Sequence, residues 1–276
     1  MAQPAIEDWI RTLRSDKPAD RWRAAMCLVD AARSQQAVAL VALADALEDD
    51  HPFVRWRAGL TLAQAGRPQA TAVLFDSLEK GSPCRRAAAA DALAYARQSD
   101  AAPLLRTLSN EEPLVRQSAA EALGRLGCRK EASHYIKLLA DESLWVRRAA
   151  ARVLGHIGDG DAVGPLSQRL MDESPLVRRS AAYALGAMRA RPAVSALIAA
   201  LDDPDPQVCR NAAWGLGRIG DAAALPKLRT LRADTALDGD VADEAGAAIL
   251  AIERPAWRRL PGAARNWLVR LISNER

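Results

Sequence analysis

A valine followed by an arginine returns along this chain with a fixed period, and that period constrains the fold more than any other feature. Aligning on the valine slot gives Val54, Cys84, Val115, Val146, Val177 and Val208, spaced 30, 31, 31, 31 and 31 residues apart. Self-similarity on this scale marks a repeat architecture, in which each unit buries its apolar face only by stacking on the next. Trp22 and Val241 fill the same slot at looser spacings of 32 and 33 residues, which makes eight units with degenerate ends. Atypical end units are what a stack needs to close its outer faces.

Each unit reads as two helices. In the sixth, Val163, Leu166 and Leu170 fall at helical spacing, and after the turn Glu173-Ser174-Pro175 so do Val177, Ala181, Leu185 and Met188. A proline near the start of the second helix (Pro52, Pro83, Pro113, Pro175, Pro206) suits a first turn. Gly158-Asp159 and Gly220-Asp221 suit a helix end. Half of the chain is apolar but only 4% is aromatic, so Ala, Leu and Val must build the core, as closely packed helices allow. The expected fold is an all-α solenoid of about eight helical hairpins over residues 1–253, followed by a separate segment, 254–276.

The pattern D-x-x-P-x-V-R-x-x-A-A-x-A-L-G-x-I-G-D-x-x-A-V-x-P-L-x-x-x-L, spread over residues 5–253, resembles HEAT repeats of the short subclass first associated with phycobilisome lyases. The resemblance implies a right-handed superhelix whose second helices line the concave side. It also implies an alternative function, because bilin lyase subunits of this type bind an open-chain tetrapyrrole and a phycobiliprotein.

Arginine follows the slot at positions 23, 55, 85, 116, 147 and 178, and acids stand five or six residues ahead of it at Asp49 and Asp50, Asp141 and Glu142, and Asp172 and Glu173. A catalytic arginine would be singular, whereas this one recurs with the period. Arg55, Arg85, Arg116, Arg147 and Arg178, with Asp141 and Asp172, are therefore expected to form a structural ladder of guanidinium–carboxylate and guanidinium–carbonyl contacts between turns.

Function is sought instead in the second-helix positions that vary between copies, two, three, six and ten residues after the slot. They hold Trp56, Arg57, Leu60 and Gln64; Arg86; Gln117, Ser118, Glu121 and Arg125; Arg148, Arg152 and His156; Arg179, Ser180 and Tyr183; Arg210, Asn211, Trp214 and Arg218. Eight arginines face one acid, Glu121. Such a row is either a solvated helix face or a surface for an acidic protein, with Trp56, Tyr183 and Trp214 as anchors. The second reading is the one adopted.

The net charge of +4 resides in the last 23 residues, where six arginines stand against Glu275. Ala264, Trp267, Leu268, Leu271 and Ile272 recur there at helical spacing behind Pro261. This amphipathic helix, with Trp257, either caps the last hairpin or contacts a partner groove or a membrane surface.

Catalytic patterns are missing. His51, His134 and His156 are not followed by Glu, as the di-iron hydroxylases of HEAT-like fold require, and no phosphate loop or nucleophile elbow occurs. Cys27, Cys84, Cys128 and Cys209 lack metal or disulfide spacing and read as small core residues of a reducing compartment. No metal or cofactor is expected, and nucleic-acid binding stands only as a third reading, behind the protein scaffold and the bilin lyase. The opening residues lack a signal pattern and no apolar run reaches membrane-spanning length, so a cytoplasmic, non-enzymatic scaffold or assembly factor is the expectation.

Overall fold

Proline has no N–H to lose in the first turn of a helix and arrives with φ already near the helical value. Pro52, Pro83, Pro113, Pro175 and Pro206 accordingly each stand first in a helix. The computed structural model describes residues 5–96, 102–127, 132–234 and 239–253, and every regular element among them is helical. Trp257, Trp267, Leu268 and Leu271 lie outside the described residues.

The chain forms two compact units, Met1–Cys128 and Arg129–Arg276. In the first, α1 (Ile6–Thr12), α2 (Pro18–Cys27) and α3 (Val29–Arg33) make an irregular opening hairpin. The hairpins α4 (Ala37–Ala46) with α5 (Pro52–Ala65), α6 (Pro68–Lys80) with α7 (Pro83–Tyr95), and α8 (Ala102–Thr107) with α9 (Pro113–Leu126) follow. In the second, the hairpins are α10 (Ala132–Leu138) with α11 (Leu144–Ile157), α12 (Val163–Gln168) with α13 (Pro175–Met188), α14 (Val194–Ala199) with α15 (Pro206–Ile219), and α16 (Leu225–Ala233) with α17 (Gly239–Glu253). Second helices pack on second helices: α2 on α5, α5 on α7 and α7 on α9, then α11 on α13, α13 on α15 and α15 on α17. The protein is thus an all-α solenoid.

The repeated apolar residues form the buried seam of the stack. Val54, Val115, Val146, Val177 and Val208 are fully buried, as are Ala58, Ala119, Ala150, Ala181 and Ala212 one turn later and Leu123, Leu154, Leu185 and Leu216 one turn beyond those. Gly66, Gly127, Gly158 and Gly220 end α5, α9, α11 and α15 with φ between +62° and +78°, the left-handed cap that only glycine adopts without strain. Arg189 ends α13 in the same conformation, φ +53°.

A second glycine slot sets how close neighbouring second helices come. A Cβ added at Gly155 would lie 2.8 Å from the Ala184 Cα, one at Gly186 2.5 Å from the Gly215 Cα, and one at Gly217 2.9 Å from the Ala248 Cα. Backbone approach at this distance excludes any side chain.

The arginine ladder joins successive turns by a double attachment. Arg147 gives its Nη1 to the carbonyls of Asp141 and Glu142 in its own turn, at 2.9 Å each. It gives Nε and Nη2 to the two carboxylate oxygens of Asp172 in the next turn, also at 2.9 Å. Arg178 repeats this with the carbonyls of Asp172 and Glu173 and the carboxylate of Asp203. Each turn acid serves twice, since Asp172 also accepts the Ser174 N–H, as Asp141 accepts that of Ser143 and Asp203 that of Asp205.

Three details differ from expectation. Asp141 meets Arg147 through its carbonyl rather than its carboxylate, because the guanidinium fork points forward to the following turn. Among the described residues Arg55 and Arg85 have no forward carboxylate, since Gly81 and Ser82 replace the acids of the turn after Arg55 and Asn110 takes the acid's place in the turn after Arg85. Arg55 binds the carbonyls of Asp49 and Asp50, and Arg85 turns to the Ser77 hydroxyl and to Glu48. In the first hairpin the rung is Arg21, which forks onto Asp49 and meets Asp50 and the Ser15 carbonyl, while Arg23 is exposed beside Asp20. Pro18 precedes Arg21 by the same three residues that separate Pro52 from Arg55. Trp22 therefore corresponds to Trp56, two positions after the valine slot, which Asp20 fills in the first hairpin.

Candidate functional site

Asp172 and Asp205 show how much of the positive charge is already answered. Burial alone would push the Asp172 carboxyl up, but the bonds from Arg147 and the Ser174 N–H outweigh it and hold the group below the usual carboxylate range. Asp205, the N-cap of α15, is held low by its bond from Arg179, helped by the N–H groups of Gln207 and Val208. Arg179 forks onto Asp205 through Nε, at 2.9 Å, and Nη2. Arg210 stands 3.7 Å from Asp240, and Arg125 is paired with Asp91.

The expected surplus of eight arginines over one acid is therefore corrected. Arg125, Arg179 and Arg210 meet carboxylates that sit in slots the sequence pattern does not count. Arg57 and Arg86 are half-buried with Nε atoms that have no hydrogen-bond partner, and burial holds the Arg57 guanidinium below its ordinary range. Leu60, Ser118 and Ser180 are buried. Asn211 shows why the slot three residues after the valine is not open: its amide donates to the Arg179 carbonyl on the neighbouring helix.

In the second unit, Arg148 and Arg218 remain without a carboxylate among the described residues. Each lies over an indole: Arg148 5.7 Å from the Trp145 ring centre, Arg218 5.0 Å from that of Trp214. Arg148 lacks the acid that Arg179 has because the residue 26 positions on is Ser174 rather than Asp205. Tyr183 stacks on Trp214 with ring centres 4.9 Å apart and planes 4° from parallel. Arg152 and His156 are exposed on α11, and the His156 Nδ1 lies 2.7 Å from the Arg152 carbonyl.

In the first unit, Trp56 belongs to a different environment. With Leu60, Tyr95, Leu114 and Asp91 it lines a cleft of about 170 Å³ across α5, α7 and α9. Burial pushes the Asp91 carboxyl up, and Arg125 partly opposes the shift. Tyr95, Leu114, Asp91 and, in the second unit, Trp145 were not singled out by sequence. Leu114 and Trp145 occupy the position just before the valine, which Phe53 also fills, and all three are exposed. An apolar residue recurring there was the available signal.

Among the described residues no three His, Cys, Asp or Glu side chains gather to hold a metal, and no helix is long and apolar enough to cross a membrane.

Stacked hairpins with a buried arginine ladder and a row of second helices define a helical-repeat solenoid. The family model for HEAT repeats matches residues 6–94, 78–134, 132–198 and 163–250. The chain belongs to the HEAT-repeat family. Among solved structures, YibA from Escherichia coli is 20% identical with a TM-score of 0.67, over 91% of this chain and 93% of that one. Kap95p, in a structure describing its binding to RanGDP, is 14% identical with a TM-score of 0.63, over 91% of this chain and 41% of Kap95p. The complex of CpcE and CpcF of phycocyanin lyase from Nostoc is 22% identical over 91% of this chain and 96% of that one, with a TM-score of 0.44. Comparison with curated protein sequences gives no match. The likenesses establish the fold alone.

Proposed function

We propose that this protein is a non-catalytic scaffold or assembly factor whose second-helix row in the second unit binds an acidic surface of another protein. The observation that carries the reading is the pair of arginines, Arg148 and Arg218, held over tryptophan rings with no carboxylate beside them among the described residues, in a unit where Arg178, Arg179 and Arg210 all have one. An arginine held over a ring keeps N–H donors for an incoming carboxylate at little cost in side-chain freedom. Arg152 and His156 stand exposed on the same helix as Arg148.

The test is affinity capture with wild-type protein and with an Arg148→Glu/Arg218→Glu variant, followed by titration of the purified partner at low and high salt. Loss of a stoichiometric partner in the variant, and weakening of wild-type binding by salt, support the reading. Retained binding in the variant sinks it. Zinc-enhanced fluorescence after addition of a bilin would replace it with the tetrapyrrole alternative, and strongly salt-dependent DNA or RNA binding with a nucleic-acid one.

A further inference from the structure

Trp214 is fixed from below. A Cβ at Gly186 would lie 2.9 Å from Cζ3 and 3.0 Å from Cε3 of its indole, whereas Gly155 and Gly217, in the same slot of other repeats, meet only alanines within this range. The bare backbone at Gly186 thus seats the ring, Tyr183 lies parallel to it, and the Arg218 guanidinium stands over it. Tyr183 is 41% exposed. We infer that this group reads two features of one partner segment: a carboxylate, received by Arg218, and a neighbouring aromatic side chain, received by the open part of Tyr183.

The inference rests on the acidic-partner reading above and deepens it. Charge complementarity selects the occupant. Arg218 has a guanidinium edge with no acid among the described residues, while Tyr183 brings no charge of its own and presents a flat π surface whose preferred contact is another ring. A plain acidic surface would use the arginine and leave the tyrosine idle. A segment carrying both groups uses the whole stack, and uses it without reorganisation, because the rings are already packed.

The experiment compares two octapeptides of equal charge, one alternating Glu and Tyr and one alternating Glu and Ser, by fluorescence anisotropy with the full chain. The Glu-Tyr peptide is expected to bind about fivefold more tightly, the worth of one aromatic pair. Tyr183→Ala should remove that preference and Tyr183→Phe restore it, while Arg218→Gln weakens both peptides; circular dichroism of each variant checks the fold. Equal binding of the two peptides overturns this inference and leaves the acidic-partner reading standing. No binding of either, or binding of both that is indifferent to Arg218→Gln and Arg148→Gln together, overturns both. Tighter binding of an oligothymidine octamer that also depends on Tyr183 overturns the inference in favour of a base-stacking site.

Discussion

Arg147 divides its five N–H donors among five acceptors on two successive turns, and none is left over. Its side chain is 6% exposed and that of Asp172 3%, so removing one member leaves a buried charge without its counterpart. Arg147→Ala is expected to lower stability by about 3 kcal/mol, read as a shift of the urea midpoint. Arg55→Ala should cost only about 1 kcal/mol, because that residue loses carbonyl bonds alone. Equal losses would show that the forward carboxylate adds nothing. The same pairs set the acid limit. Asp49, Asp172 and Asp205 are each held below the ordinary carboxylate value in the folded chain. Their contribution is therefore present above about pH 4 and lost as the pH falls through that value towards their folded ones. Urea midpoints should fall between pH 5 and pH 3, less steeply in an Asp172→Asn variant.

At the scale of helices, glycine has two separate tasks. At the ends it supplies a positive φ, and Arg189 performs that task in α13 at a conformational cost. Arg189→Gly should raise stability by about 1 kcal/mol, visible as a higher melting temperature; no gain would mean that contacts of the arginine offset its strain. In the middle, glycine allows α13 to touch α15. Gly186→Ala should destabilise by about 2 kcal/mol, since the new methyl group meets backbone and the Trp214 ring rather than a flexible side chain. The substitution should also disturb the near-ultraviolet circular dichroism of the Tyr183–Trp214 stack.

Within each unit, a repeat packs mainly on its neighbours, so damage should stay local. Hydrogen exchange in Gly186→Ala should quicken most in α13 and α15 and less in α11 and α17; uniform quickening throughout the second unit would show that it unfolds as one block. The period, the hairpins, the buried Val-Ala-Leu seam and the existence of a ladder were all legible in the sequence, because each follows from residue type at a fixed spacing. Even the misplaced rung at Arg23 had a local remedy in Pro18. The charge of the second-helix row was not legible. Whether an arginine is neutralised depends on a residue 26 or 34 positions away, as Asp205 is from Arg179 and Asp91 from Arg125. Nor does spacing reveal that Tyr183 and Trp214 share a stack or that Gly186 seats it. Intrinsic helix preference and apolar periodicity are properties of neighbours in sequence, and they determined the elements. Pairing of charges and stacking of rings depend on which turns the packed helices bring together, and only the tertiary structure decided those.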